Sequence, residues 1–435
     1  MKTTRANGTV TAALVACASC WTLPVNAQAP AEPLQLASAS PLAELRRSRD
    51  SYLQVRELEA ALESAESVVR AQSEQREPQY PADLAALGLV QAELRNTDDA
   101  LTNLLDAIAL VEEAEGAYSA TLVEYYRGLG RTYIKSGQYT QAIVSLEQAQ
   151  HISQRNLGLF NVEQSPVLDD ITTAYLGLGN TVEARNMQLE RLENAVRRYG
   201  AGDPRVIPYR YTLGKYYEQS RLPDSAREQY EEVLKAQESR LGAADAELLA
   251  PLRELVSLDL LVTQGADPQR RDRLAALLEQ NVQAPATERG LSLALLGDWA
   301  LVAGDAAAAH DYYRQAWTAL RANPELDVSG YFSKPVMIDF VAPLSPVDRN
   351  ERSRPYTWAQ ISLEFDVSAD GLPADVRVVT RDPLTSALQS RYSRRLRETH
   401  FRPRLVDGRP VATTNVRSTH YVRRYVDKDE EEQEP

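Results

Sequence analysis

The stretch that decides the fold is Leu129–Ala149, which reads LGRTYIKSGQYTQAIVSLEQA. Its apolar and small residues recur at intervals of three and four, the period of an α-helix. Gly137 interrupts this period, and glycine tolerates the positive φ with which many helices end. The stretch therefore predicts two antiparallel helices joined by a tight turn.

The same pattern returns every 42 residues on both sides of this stretch. Its first large apolar position is held by Leu87, Leu129, Ile171 and Leu213, with Leu296 one residue early. Alanine follows thirteen residues later in most units, at Ala100, Ala142, Ala184, Ala226 and Ala309. Small residues let two helices approach closely. A repeat of this length predicts helix pairs that stack on one another.

These residues resemble the tetratricopeptide repeat (TPR), and the period resembles its kinesin-light-chain type. The resemblance is strong from Asp83 to Leu241, weakens where Asp259 replaces a tyrosine, and recovers over Leu295–Leu320. It implies a mainly α fold, with a TPR α-solenoid over residues 42–322.

After Tyr331 the pattern changes from helical to extended. Residues 358–367 alternate apolar and polar side chains, as a half-buried strand does. We expect a hairpin turn at 368–371, a second strand at 375–380, a helix at 384–399, and further extended segments at 401–411 and 415–425.

The segments FDVSADGLPADVRVV (365–379) and HFRPRLVDGRPVATT (400–414) resemble the C-terminal domain of TonB-family proteins. The resemblance implies a small α+β domain at 331–426 that binds a partner by adding a strand to an exposed sheet edge. The candidate edge is the last segment, and its candidate docking residues are Val416, Arg417, Tyr421 and Arg423. The arginines could instead only protect the edge from aggregation.

The first residues have the order of a bacterial secretory signal: Lys2 and Arg5, an apolar run, and small residues up to Ala29. The apolar run is about 14 residues long, whereas a membrane-spanning helix needs roughly 20. We predict cleavage after Ala27 or Ala29, which makes residues 1–27 a signal peptide and 28–41 a flexible linker. Export implies a periplasmic location in a Gram-negative bacterium.

One alternative is a lipoprotein, because Leu14-Val15-Ala16-Cys17 resembles a lipobox. Lipidation at Cys17 would hold the protein on the periplasmic face of a membrane. A third possibility is that the signal is retained. Contact with a membrane is expected only in these two cases.

The composition argues against metal, cofactor and nucleic-acid binding. Both cysteines, Cys17 and Cys20, lie in the predicted signal, so the mature chain would have no thiolate ligand. The four histidines lie far apart and lack the spacing of a metal site. We therefore expect no metal and no cofactor. The chain carries a net charge of −13, and an acidic protein is poorly suited to nucleic acid.

The charge is unevenly distributed. Residues 28–330 carry roughly 16 net negative charges, 331–426 about 6 net positive, and the acidic tail 427–435 about 5 net negative. Five arginines form a basic cluster that could meet acidic partners, including this tail: Arg394, Arg395, Arg397, Arg402 and Arg404.

No catalytic motif is recognisable, so we expect no enzyme and name no catalytic residue. Gly128-Leu129-Gly130 resembles a phosphate loop only superficially, since it recurs at a repeat position and lacks the following lysine. An enzyme with an unrecognised site stays a less favoured hypothesis.

The interaction surface is the remaining place to look for function. In proteins of this repeat family, the first helix of each pair lines a groove, and residues two before and two after the leucine position face it. These groove positions hold Arg127 and Arg131 in one unit and Tyr211 and Lys215 in another. They could bind an extended peptide or its carboxylate. Ordinary solvated side chains paired with nearby glutamates are an equally open interpretation.

Together these features predict a periplasmic protein-interaction scaffold whose partners are proteins. A divergent TonB-type energy transducer for outer-membrane transport is the alternative. A TonB transducer has an uncleaved N-terminal helix and a long proline-rich spacer, and the sequence shows neither, which puts that alternative in doubt.

Overall fold

The structure is a computed structural model that describes residues 40–263, 268–343, 356–380 and 386–425. The predicted signal peptide with Cys17, residues 28–39 of the predicted linker and the tail 427–435 lie outside the described residues. The chain divides after Glu74 into two compact units.

The first unit contains two described helices, α1 (Pro41–Gln54) and α2 (Leu58–Arg70). The Ser40 side chain caps α1 by accepting a hydrogen bond from the Ala43 backbone N–H at 3.2 Å. Along α2 the buried residues Ala61, Ala65 and Val68 follow helical spacing, so they share one face.

The second unit begins with helices that pack in antiparallel pairs. They are α3 (Tyr80–Glu93) with α4 (Thr97–Glu115), α5 (Leu122–Lys135) with α6 (Tyr139–Leu157), α7 (Ser165–Gly177) with α8 (Thr181–Tyr199), α9 (Ile207–Gln219) with α10 (Pro223–Leu241), α11 (Leu249–Thr263) with α12 (Pro268–Gln280), and α13 (Ala286–Val302) with α14 (Ala306–Leu320). Each pair also contacts the next. The predicted mainly α solenoid is therefore confirmed.

The 42-residue period is visible in the helix boundaries. The second helices α4, α6, α8 and α10 each contain 19 residues, and their first residues are 42 positions apart. Each ends before a glycine whose φ lies between 87° and 94°. These glycines stop the helix in a conformation that other residues adopt only at a cost.

The turns inside the four pairs from α3–α4 to α9–α10 also need a positive φ. Gly137 and Gly179 supply it with φ of 77°. At the same repeat position the chain places arginine twice, Arg95 with φ of 61° and Arg221 with φ of 58°. The repeat geometry therefore imposes the left-handed conformation even where the sequence offers no glycine.

Close approach explains the glycine after each leucine. A Cβ added to Gly130 would lie 2.5 Å from Leu146, and one added to Gly214 would lie 2.5 Å from the Tyr230 ring. Gly297 meets Tyr313 in the same way. These glycines let the large residue of the second helix reach across the first.

The repeat is irregular at α11, as the sequence predicts from Asp259. This side chain is buried, and its carboxylate binds Arg227 of α10 at 3.1 Å and Arg270 of α12 at 3.0 Å. A buried charged cluster thus replaces the tyrosine that three other units hold at this position, Tyr133, Tyr175 and Tyr217.

The C-terminal part of the second unit contains strands and two helices. Its elements are α15 (Val328–Tyr331), β1 (Val336–Met337), β2 (Tyr356–Val367), β3 (Pro373–Val378), α16 (Ser386–Arg397), β4 (Phe401–Arg402), β5 (Arg404–Val406), β6 (Arg409–Val411) and β7 (Thr413–Tyr425). The main sheet is antiparallel in the order β3-β2-β7, while β1 pairs with β4 and β5 with β6. A small strand-containing region after the helices agrees with the predicted fold class.

The sheet buries one face under α16. Ile361, Leu363 and Phe365 alternate along β2 and pack with Tyr392 and Leu396 of the helix. A second core joins the strands to the last helical pair: Leu405 of β5 belongs to the same buried cluster as Trp317 of α14. No helix in the described part of the chain is both long and apolar enough to cross a lipid bilayer.

Candidate functional site

The predicted groove positions lie on the first helices α5 and α9, and each pair of positions flanks a carboxylate of the next first helix. Arg127 and Arg131 flank Asp170 of α7, whereas Tyr211 and Lys215 flank Glu254 of α11. Asp170 and Glu254 both come one residue before the large apolar position of their unit. The two parts of the predicted groove are thus built alike.

Arg127 is held by the neighbouring repeat. Its Nε donates to Oδ2 of Asp170 at 2.7 Å, and both side chains are largely buried. Burial raises the pKa of Asp170, and the hydrogen bond from Arg127 acts in the opposite direction. Arg127 therefore links two repeats, and Asp170 largely neutralises its charge.

Arg131 differs from Arg127, although the two lie one turn apart. Its side chain is exposed, and it forms no hydrogen bond or ion pair within the described residues. Its charge, like that of Arg127, opposes the rise that burial causes in the pKa of Asp170. Arg131 is therefore the predicted groove cation that no ion pair within the described residues neutralises.

Lys215, like Arg127, forms ion pairs with carboxylates, one of them on the next first helix. Its Nζ lies 2.5 Å from Glu254 and 3.1 Å from Glu218. Glu254 is also 3.3 Å from Arg253, which binds Glu288 of α13. The ion pairs therefore run from repeat to repeat along the first helices.

Tyr211 presents an unsatisfied hydroxyl. The oxygen is buried and makes no hydrogen bond within the described residues. Burial, and next the carboxylate of Glu254, raise the pKa of this phenol above its ordinary value. Its ring lies 5.8 Å from that of Tyr230, so the side chain contributes to packing rather than to an open surface.

In the last helical pair, α13–α14, a residue of the strand-containing region binds the groove position. Asp298 of α13 lies two residues after Leu296, at the groove position that Lys215 holds in its own unit. Arg402 of β4 binds it with Nε at 2.9 Å and Nη2 at 2.5 Å. The Tyr313 hydroxyl donates to the same carboxylate at 2.9 Å. The C-terminal domain thus occupies this groove position.

Arg402 is deeply buried in this contact. Burial opposes its charge, but the carboxylate of Asp298 outweighs that effect and raises the pKa of Arg402 above its ordinary value. A second donor group of Arg402 binds the Tyr331 hydroxyl at 2.9 Å. Arg402 was predicted to belong to a basic cluster that meets acidic partners, and for this residue the prediction is wrong, because its side chain is buried against Asp298.

The sequence did not reveal this pairing, since the two residues are 104 positions apart. The available signal was an acidic residue at a groove position of the final unit.

The predicted docking strand lies at one edge of the sheet, because β7 pairs only with β2 among the described strands. Val416 is half-buried and packs against the core under α16, whereas Tyr421 is 69% exposed. Arg417 binds Glu364 of β2 at 2.9 Å. Only the backbone of Arg423 is described.

A separate feature, missed in the sequence, repeats along the loops between pairs. Arg155 lies over the Tyr118 ring at 3.9 Å, and 42 residues later Arg197 lies over the Phe160 ring at 4.0 Å. The second of these borders an open cavity of about 710 Å³ that Leu159 also lines. These stacked pairs stabilise the loops by cation–π contact.

Comparison with known proteins supports the repeats. A tetratricopeptide-repeat family model matches residues 80–155. A crystal structure of kinesin-light-chain TPR-like repeats from Podosopora anserina is 19% identical, with 46% of this chain and 96% of that chain covered and a TM-score of 0.41.

The C-terminal part of a TPR repeat-containing protein from Cytophaga hutchinsonii is 14% identical, with 64% and 96% covered and a TM-score of 0.42. The search of curated proteins finds no significant match. The match of the family model shows that the chain contains tetratricopeptide repeats, which is consistent with a protein-interaction scaffold.

Proposed function

We propose that the protein is a non-catalytic adaptor of the bacterial periplasm. Its repeat groove binds an extended segment of one protein, and its C-terminal domain, which resembles that of TonB, docks a second protein. The observation that carries this proposal is Arg131, a cation at a groove position that forms no ion pair within the described residues, while the neighbouring Arg127 is paired with Asp170.

The groove ligand is a peptide with an acceptor group, a carboxylate above all. Arg127 pairs with Asp170 and, at 3.6 Å, with Glu124, whereas Arg131 forms no ion pair within the described residues. A charge-assisted hydrogen bond to such a cation contributes about 1.5–3 kcal/mol. An extended chain offers that contact while its backbone follows the helices.

The direct test selects extended peptides with a free carboxylate from a random library on the purified protein. Affinity for the selected peptides falls at least tenfold in Arg131→Ala. The matched control is Arg198→Ala, an exposed arginine of α8 that lies on a second helix, and it leaves the affinity unchanged. Equal affinities of the wild-type protein and Arg131→Ala for the selected peptides would contradict peptide binding in the groove at Arg131.

The second docking surface is the outer edge of β7. A free edge offers backbone donors and acceptors to an added strand. The exposed Tyr421 supplies apolar area beside it. A photoreactive phenylalanine at position 421 should crosslink a partner segment, whereas one at the half-buried Val416 should not.

Export is tested by the N-terminus of the protein recovered from its host. The adaptor starts near Gln28 or Pro30 and is released from the periplasm without detergent. A chain that retains residues 1–27 in the membrane fraction points to an energy transducer, and a lipid on Cys17 points to a lipoprotein.

A further inference from the structure

The outer face of α16 is strongly basic and lacks partners. Arg391 and Arg394 are exposed, one turn apart, and neither forms a hydrogen bond or ion pair within the described residues. Arg397 is also exposed, and its contact to the Val376 carbonyl is long, at 3.4 Å. Like charges at this spacing repel each other.

The helix cannot neutralise this face by itself. Its opposite side, with Tyr392 and Leu396, is buried against the sheet. The acidic residue that follows it, Glu398, lies 3.8 Å from Arg395, whose guanidinium also binds the Asp339 carbonyl. Helices of the array differ, since Arg197 pairs with Glu193 one turn away.

We propose that the acidic segment 427–434 of the same chain docks on this basic face of α16. The segment contains Asp427, Asp429, Glu430, Glu431, Glu432 and Glu434 with a single lysine. The helical array is itself acidic and repels the segment, so charge complementarity directs it to the C-terminal domain.

The length of the chain permits this contact. The His420 ring of β7 contacts the Tyr392 ring of α16 at an angle, with ring centroids 4.9 Å apart, and β7 ends five residues later at Tyr425. Five strand residues span about 17 Å, and the next nine residues reach about 30 Å when extended. The segment can therefore turn back and reach Arg391 and Arg394.

Docking of the segment has a functional consequence. It covers the exposed cations of the C-terminal domain, so an acidic partner must displace it before binding there. Because the contact is between solvent-exposed charges, it weakens as salt rises.

The test uses disulfide formation in the full chain with Cys17 and Cys20 replaced by serine. Glu431→Cys is combined with Ser390→Cys, beside Arg391 on α16. The matched control combines Glu431→Cys with Thr173→Cys. Both target hydroxyls are exposed on a helix and donate to the carbonyl four residues earlier.

We expect the Ser390 pair to close at least tenfold faster than the Thr173 pair at low salt. Arg391→Glu with Arg394→Glu should remove the difference, and lysines at 429, 430 and 432 should restore it in that background. Equal rates in the two pairs, a rate that ignores the charge reversal, or disulfides formed only between molecules would overturn the proposal.

Discussion

At the scale of single residues, the turns inside the helix pairs show backbone geometry overruling residue preference. Gly137 and Gly179 suit the positive φ, but Arg95 and Arg221 adopt it as well. A left-handed conformation costs a non-glycine residue about 1–2 kcal/mol. The free energy gained by packing the surrounding helices offsets this conformational strain.

Arg95→Gly should therefore stabilise the α3–α4 pair by about 0.5–1 kcal/mol, since relief of the φ cost exceeds the entropy cost of glycine. Arg95 is exposed, so no buried contact is lost. Urea denaturation followed by circular dichroism measures the effect, and Gly137→Ala provides the opposite change. A lower midpoint for Arg95→Gly would refute this explanation.

Asp259 and Asp224 allow a matched comparison, because both carboxylates bind Arg227. Asp259 is 5% exposed and Asp224 is 93% exposed. Asp259→Ala removes the buried carboxylate that Arg227 and Arg270 share and leaves each arginine with only a more exposed partner, so it should cost about 3 kcal/mol. Asp224→Ala removes a surface pair and should cost less than about 1 kcal/mol. Hydrogen exchange of α10 and α12 reports both, and similar losses in the two variants would contradict the assignment.

His420 makes the C-terminal sheet sensitive to pH. Burial, and next the charge of Arg221, lower its pKa, while Phe340, Tyr392 and Ser418 surround the ring. A histidine whose pKa is lower in the folded state stabilises the fold above its unfolded pKa and loses that contribution as pH falls. The sheet should melt at a lower temperature at pH 5 than at pH 7, and His420→Phe should reduce this difference.

At the scale of elements, the period of the sequence predicted the helices well. Spacing of small and apolar residues is a local property, and it located the paired helices, their glycine turns and the irregular unit at Asp259. Strands β2 to β7 and α16 were also predicted, because alternation along 358–367 and the turn at 368–371 are local as well, whereas α15 and β1 were not.

Contacts between distant elements were not predictable in this way. Arg127 and Lys215 were correctly placed on first helices, but their neutralisation depends on carboxylates about one repeat away in the chain. The burial of Arg402 depends on Asp298, which lies 104 positions away in the chain. One sequence carries no local pattern for either kind of pairing.

The contact between Asp298 and Arg402 should decide how firmly the C-terminal domain is attached. Asp298→Ala and Arg402→Ala each leave a buried charge and should cost about 3–5 kcal/mol. The double variant should lose less than the sum of the two, because both charges are removed. The exposed pair Arg240 and Glu247 is the control, with a loss under about 1 kcal/mol. Additive losses at Asp298 and Arg402 would contradict direct coupling.

At the scale of the whole molecule, the second unit ends in a domain that takes the place of a further repeat. Arrays of this kind need an end that covers the last apolar face. Here Leu405 joins the core of the last pair, and Arg402 binds the groove position of α13. The groove that we propose for a partner therefore runs along α5 to α11, where Arg131 forms no ion pair within the described residues.

Residue-specific photo-crosslinking in the native host tests whether the protein is an exported adaptor with a peptide groove at Arg131. A photoreactive side chain replaces Thr173, which is exposed on α7 two residues after Ile171. Mass spectrometry then identifies the captured segment and the N-terminus of the protein.

We expect a chain that starts near Gln28 or Pro30 and is crosslinked to one segment of an envelope protein. As a synthetic peptide, that segment binds the purified protein at least tenfold more weakly after Arg131→Ala. Two results would contradict the proposed function. One is capture of a motor subunit by a protein that retains residues 1–27, and the other is a captured segment whose affinity does not change in Arg131→Ala.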